Sequence, residues 1–328
     1  MVLENKKKAN LRDVAKASGV SVATVSRVLN TPDRVSKTTR QAVQAAIDHL
    51  HFVPSAAARS INSGRSHVVG ALVPTLDNAI FARFLGALES KLGEHGLSLV
   101  IATTDGDPDL EAEKAQRLVN IGAEALIVSG VTHSDAFEQL IVRTRMPTVV
   151  TSFFDPNYHY PTIGYDNAAA ARMAEDFLIE KDHLQIAVLH GPTEHHDRMR
   201  ARLSGLHEKA KLHNFETDLT LKGAENAVNE LLSTAPETTA ILCLSDVLAL
   251  GALFELQRRG IRVPQDMSLM GIDDLPSSAS AFPSITTIHL PAVEMGIRTA
   301  DAVFEWVEHQ TVPEPHLIET SLIIRQST

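Results

Sequence analysis

Residues 11–30, LRDVAKASGVSVATVSRVLN, decide how the rest of the chain is read, because they spell two short amphipathic helices joined at a glycine. Leu11, Val14 and Ala15 recur at helical spacing, Gly19 suits a tight turn, and Ser21 is a good N-cap for a second helix whose Val25, Val28 and Leu29 face inward. The outward face is then Val22, Ala23, Ser26 and Arg27, with Ser21 and Thr24 at its start and Asn30 at its end. Small apolar residues beside an arginine suit a DNA major groove. Arg can donate two hydrogen bonds to guanine O6 and N7, while Val and Ala pack on thymine methyls. The pattern predicts a helix-turn-helix with residues 22–30 as the recognition helix. A plain three-helix packing unit would share it, so the residues beyond Asn30 have to decide.

Ser36 is placed to cap a third helix, SKTTRQAVQAAIDHL, with Ala42, Val43, Ala46, Ile47 and Leu50 on one face. Next comes HFVPSAAARSINSG, where Pro54 and Ser55 start a short alanine-rich helix and Gly64 stops it. Roughly two turns fall below the ~12–15 residues an isolated helix needs. The segment is therefore expected to order only against a partner, and its composition suits a minor groove. Ala56 and Ala57 let the backbone approach closely, Arg59 can meet phosphates, and Ile61 can wedge between base pairs. Ala58 and Asn62 complete the expected DNA-facing set. The alternative for this stretch is a flexible linker.

Charge divides the same way. Residues 1–65 hold eleven Lys and Arg against four Asp and Glu, whereas the remainder holds 19 against 36, within a chain of net charge −10. A basic head on an acidic body favours DNA contact through one end. With 328 residues and 44% hydrophobic content, two or three domains and a large core are expected. The single cysteine, Cys243, excludes an internal disulfide and fits a reducing cytoplasm. The opening MVLENKKKANLRDVAK is basic without an apolar run behind it, so neither a targeting signal nor a membrane segment is expected.

From Ser66 onward, apolar strand-like runs alternate with amphipathic helical patterns, the signature of parallel βαβ units. HVVGALVP, LSLVIATT, EALIVSG and PTVVTSF read as strands of a first set, separated by FARFLGALESKLGEHG and DLEAEKAQRLVNIG as helices. QIAVLHG, TAILCLS and DMSLMGID form a second set, with AAAARMAEDFLIEK, RLSGLHEKAKLH and DVLALGALFELQRRG as its helices. Open parallel sheets bind ligands outside the carboxyl ends of their strands, so two facing sheets make a cleft. Asp273, after the strand MSLMGI, is placed to accept hydrogen bonds from ligand hydroxyls or ring N–H groups. Arg202, read as opening a helix, is within reach of the same mouth, and its planar fork can hold vicinal hydroxyls or a carboxylate. Asp246 reads as the cap of the following helix and is left out of the site.

The runs DVAKASGVSVATVSRVLN, PSAAARSINSG, SDVLALGAL, VPQDMSLMGIDD and PSITTIHLP together resemble the lactose and purine repressor (LacI/GalR) family, in matching order along essentially the whole chain. The resemblance implies an effector-controlled, homodimeric repressor on a pseudo-palindromic operator. Its fold would be an α-helical helix-turn-helix headpiece, residues 1–54, and a hinge helix and linker, residues 55–66. An α/β two-lobed core like that of periplasmic binding proteins would then occupy residues 67–328. Lobe one would take about 67–164 and 293–320, and lobe two about 165–292 and 321–328, with three crossings. The resemblance carries the family's effector-binding arginine onto Arg202, its acidic partner onto Asp273 and a strand-end polar residue onto Ser245. Ile80 and Phe81 match positions that close over the ligand, and Phe153 one that is aromatic in some members. Ile61 departs from the usual leucine of the hinge; a β-branched wedge is stiffer. No leucine heptad comes after LIIRQST, so a dimer without a tetramerising tail is expected.

His190, His195 and His196 with Glu194 and Asp197 invite a metal reading, but their spacing matches no usual zinc pattern, and neither metal nor cofactor is expected. His195, Arg198 and Arg200 instead read as positive potential at the cleft edge, which tilts the effector toward an acidic sugar or another anion. An enzyme would need a nucleophile elbow, a Gly-rich dinucleotide fingerprint or a metal triad, none of which is present. A periplasmic sugar-binding protein has no use for residues 10–62. The expectation is a cytoplasmic repressor released by a sugar or sugar acid; the alternative is a corepressor-dependent regulator of the purine-repressor type, or one using a phosphoprotein partner.

Overall fold

The computed structural model describes residues 9–53, 65–207 and 209–328, apart from the side chain of Asn30. The expected hinge positions Ala57, Ala58, Arg59, Ile61 and Asn62 lie outside the described residues. The chain divides into two compact units, Met1–His67 and Val68–Thr328.

Helices α1 (Leu11–Ser18), α2 (Val22–Asn30) and α3 (Lys37–Leu50) build the first unit, with a 3₁₀ turn at Pro32–Arg34. Each helix begins at a side-chain cap. Asn10 Oδ1 accepts from the Arg12 amide at 2.8 Å while Asp13 accepts from the Asn10 amide at 2.9 Å, a reciprocal capping box. Ser21 accepts from the Thr24 amide at 3.1 Å and Ser36 from the Thr39 amide at 3.2 Å. Gly19 turns the chain at φ +70°, a left-handed conformation that a Cβ would strain. Val14, Val25 and Val43 are fully buried at the centre, with Ala15, Val28, Ala46, Ile47 and Phe52 around them. Ala42, assigned by periodicity to the inner face, is exposed. Two short helices cover only the Val43–Ala46–Ile47 stripe of α3.

The second unit holds two six-stranded sheets. Sheet one runs β11 (His316–Leu317), β5 (Thr162–Gly164), β4 (Thr148–Thr151), β3 (Ala125–Ser129), β1 (Val68–Val73), β2 (Ser98–Thr103), all parallel. Sheet two runs β12 (Ser321–Ile323), β10 (Thr286–His289), β9 (Ser268–Asp273), β8 (Ala240–Cys243), β6 (Gln185–His190), β7 (Lys211–Glu216), parallel except for β12. Helices α4 (Ala79–Glu94), α5 (Pro108–Asn120) and α6 (Asp135–Thr144) connect the first sheet. Helices α7 (Asn167–Glu180), α8 (Asp197–Gly205), α9 (Leu221–Thr234), α10 (Asp246–Arg258) and α11 (Pro276–Ser280) serve the second, and α12 (Ala292–His309) returns to pack along α4.

Strand alternation explains the layers. Val69, Ala71 and Val73 of β1 enter one apolar layer and Leu72 the other; Ile186 and Val188 of β6 part in the same way from Ala187 and Leu189. Both faces of each sheet are covered, which is why these strands read as continuous apolar runs. One sequence expectation fails near residue 205. The run RLSGLHEKAKLH predicts a helix, yet α8 starts five residues earlier at Asp197 and ends at Gly205, and Lys211 opens the edge strand β7. That strand buries only Phe215 fully, so its sequence carries polar, helix-compatible residues rather than an apolar run.

Candidate functional site

On α2 the residues expected to meet DNA divide by exposure. Ser21, Val22, Ala23 and Arg27 are exposed, Thr24 and Ser26 are half-buried, and Val25 and Val28 point into the core. Thr24 and Ser21 share a hydroxyl hydrogen bond at 2.9 Å across the helix start, so the cap is doubly fixed. Among the described residues no carboxylate pairs with Arg27. Its guanidinium therefore stands available on a rigidly capped helix, beside two small apolar side chains, as bidentate readout of a base edge requires.

In the second unit, the carboxyl ends of both sheets open on a cavity of about 680 Å³. Its walls follow from topology, since strand order reverses around β1 and β3 in one sheet and around β6 and β8 in the other. Ile80, Phe81, Arg202, Ser245 and Asp273, all expected from the sequence, line it. Arg202 lies on the last turn of α8, not at a helix start, and is buried. Its Nε donates to Asn167 Oδ1 at 3.1 Å, its Nη1 to the Leu244 carbonyl at 2.5 Å, and its Nη2 lies 3.8 Å from Asp273 Oδ1. Asn167, which no sequence motif singles out, also donates to the Ser152 carbonyl at 2.9 Å and so ties the arginine to the first sheet's end.

Asp273 ends β9 with φ +133°, followed by Asp274 at +55°, two strained positions in succession. Ser245 donates to Asp273 Oδ2 at 3.0 Å and its hydroxyl accepts from the Val247 amide at 3.3 Å. Ser245 is thus the cap of α10, a role the sequence pattern assigns to Asp246. Asp246 is instead a buried hub: it accepts from the Leu275 amide at 2.8 Å, Ser278 at 2.7 Å and Thr287 at 2.7 Å. Only a glycine at 271 leaves room for it, since a Cβ there would sit 2.1 Å from Asp246 Oδ1. Burial raises the Asp273 carboxyl to about 7, with Asp246 adding to the rise and Arg202 opposing it. Burial also raises Asp246.

Opposite this wall, the first residues of α8 bridge the two lobes. Asp197 accepts from the amides of Val131 and Thr132, the latter at 3.0 Å, and Arg198 Nη1 donates to Ser129 at 3.3 Å. Arg200 donates to Thr132 Oγ1 at 2.9 Å and to the Thr193 carbonyl at 2.6 Å. Burial pushes the Asp197 carboxyl up, but Arg198 and the amides of Val131 and Arg198 outweigh it, and the group titrates below its usual range. Arg198 and Arg200, expected to lend positive potential at the cleft edge, therefore hold the lobes together.

Two expected ligand residues lie elsewhere. His195 does not line the cavity: its φ of +54° turns the side chain outward, 57% exposed, with Glu194 at 3.7 Å, and His196 takes the wall position. Burial lowers His196 to about 3, helped by Arg198, so it stands neutral, and its buried Nδ1 has no hydrogen-bond partner. Phe153 is also absent from the lining; Ser152, at φ +65°, faces the cavity in its place, and Phe153's backbone packs against Gly164. Tyr165 completes the lining, buried, and nothing in the sequence pattern singles it out. Among the described residues no cluster of His, Cys, Asp and Glu could hold a metal ion, and no helix is long and apolar enough to cross a membrane.

Comparison with known proteins matches both units to families. Residues 10–55 match the model for bacterial regulatory proteins of the lacI family, and residues 66–326 the model for periplasmic binding proteins and the sugar-binding domain of the LacI family. The HTH-type transcriptional repressor PurR of Haemophilus influenzae is 32% identical over 312 residues, 92% of each chain. The repressor CytR of Escherichia coli is 29% identical, covering 98% of this chain and 96% of its own. Among solved structures, the lac repressor dimer bound to operator and an anti-inducer superposes with a TM-score of 0.88 at 25% identity, covering 98% of this chain and 99% of that one. A transcriptional regulator CelR–cellobiose complex gives 0.71 at 28% identity over 98% of this chain and all of the other.

Proposed function

The chain belongs to the LacI family as a DNA-binding transcriptional repressor with an effector-binding core, and we propose that a sugar or sugar acid held between its lobes acts as inducer. Residues 1–54 read operator DNA, residues 55–66 connect, and residues 67–328 bind effector and dimerise, with lobes at about 67–164 and 293–320, and 165–292 and 321–328. The observation that carries this reading is the buried Arg202–Asp273 pair on the cavity wall, a fork of donors beside a strained acceptor. Vicinal hydroxyls match that pair: each can accept from the guanidinium and donate to the carboxylate. Ile80 and Phe81 supply an apolar lid from the opposite lobe, and His196 offers one neutral polar contact.

A homodimer suits the DNA side, because one headpiece contacts too few base pairs for selectivity and a two-fold operator doubles them. The lac repressor relative was solved as such a dimer on its operator. Repression of chromosomal genes places the protein in the cytoplasm. Effector binding would rearrange the lobes where Asp197, Arg198 and Arg200 join them, and the coupling needed is modest. About 1–3 kcal/mol changes operator affinity 5- to 150-fold.

Fluorescence anisotropy on a labelled pseudo-palindromic operator tests this directly. Full-length protein should bind in the absence of ligand and be released on adding the right sugar. Tighter binding on adding a ligand would reverse the sign and make the ligand a corepressor; failure to bind any duplex selectively would remove the repressor assignment.

A further inference from the structure

Resting on the effector reading above, we infer that the cavity prefers a ligand rich in hydrogen-bond donors and free of negative charge, and that of the sugars and sugar acids it disfavours the carboxylated and phosphorylated ones about tenfold. The cations at the wall are already matched. Arg202 faces Asp273 and has its Nε and Nη1 bonded to Asn167 and Leu244; Arg198 lies 3.5 Å from Asp197 and bonds Ser129. His196 is held neutral by burial and by Arg198. Above about pH 7, where Asp273 is ionised, a ligand carboxylate or phosphate entering here would find each wall arginine already facing a carboxylate, with little positive charge left to offset its desolvation.

The mouth is the opposite. Asp77 after β1, Asp105 after β2 and Asp218 after β7 come from three separate loops onto the same cavity, all exposed. Among the described residues none of the three has a Lys, Arg or His within ion-pair distance. An entering anion therefore meets three unmatched carboxylates, while a hydroxyl or an ammonium group meets acceptors. Each carboxylate several ångströms away disfavours a unit anion by roughly two- to threefold at low salt, so the three together give about a tenfold bias.

Isothermal titration of the full-length protein with matched compounds at low and high salt provides the test: glucose and glucosamine against glucuronate and glucose 6-phosphate, cellobiose against cellobionate, ribose against ribose 5-phosphate. Whichever scaffold binds, its neutral or amino member should bind at least about tenfold tighter than its anionic partner. High salt, or the double variant Asp105→Asn, Asp218→Asn, should narrow that gap several-fold, with operator affinity in the absence of ligand reporting that the variant is folded. An anionic member binding as tightly as its neutral partner, or a gap indifferent to both salt and the double variant, overturns the inference while leaving an effector in the cavity. Absence of binding by every compound overturns the sugar reading itself, and this inference with it.

Discussion

In the headpiece, the residues expected to meet DNA fall within ten consecutive positions, Ser21 to Asn30, on one capped helix, whereas the cavity of the core is lined from loops spread between Pro74 and Met295. The headpiece rests on a handful of small side chains, Val14, Val25 and Val43 at the centre. The core distributes its apolar residues over three clusters on both faces of two sheets. A local site on a small core should be sensitive to single packing changes and indifferent to the rest of the chain. A dispersed site on a large core should tolerate packing changes and fail when one polar link is cut.

The largest expected break of that contrast is Arg202→Ala. It leaves Asp273 buried without its guanidinium and frees Asn167, so effector affinity should fall by about 2–5 kcal/mol while operator affinity without ligand stays intact. Titration of operator complexes with effector checks this; an induction curve identical to wild type would remove Arg202 from the site. Next, Val25→Ala opens a void in the smallest core and should cost about 2 kcal/mol in the headpiece alone. Scanning calorimetry should show the major transition of the core unmoved while operator binding weakens, and a shifted core transition would contradict the independence of the two units.

A smaller effect comes from pH. Asp273, its carboxyl raised to about 7 by burial, binds a proton in the folded state over a range where the unfolded chain has lost it. Its contribution to stability is therefore fully present below about pH 4 and is lost as pH rises through about 7. Effector binding runs the other way: donor-rich ligands need the ionised carboxylate, so affinity should fall by up to about tenfold per unit as pH drops below 7. Asp273→Asn should flatten that profile, and an unaltered slope in the variant would assign the titration to another group.

The same contrast explains how much of the molecule is legible in its sequence. Leu11 to Asn30 gave up its helices, its turn and its exposed face because cap, glycine and periodicity all lie within twenty residues. Strands β1, β3, β6, β8 and β9 were equally plain, being apolar runs buried on both sides. The edge strand β7 and the two- to four-residue strands β5, β10, β11 and β12 were not, because pairing partners, not composition, define them. At the cavity, five expected residues reached the wall, but His195 and Phe153 lost their places to His196 and Ser152. Left-handed backbone at His195 and Ser152 decided both exchanges, and neither residue type announces such a conformation. Asn167 was invisible for another reason: its role exists only once the end of β4 and the helix α8 are brought together.

Selection of the full-length protein on a pool of randomised duplexes, side by side with Arg27→Ala, tests the central claim that a local face of α2 reads DNA. The wild-type protein should enrich a pseudo-palindrome, and the variant should lose about 1–3 kcal/mol with relaxed preference at one G·C position in each half-site and no change elsewhere. An unchanged sequence preference in the variant, or a wild-type product without two-fold symmetry, would contradict the account.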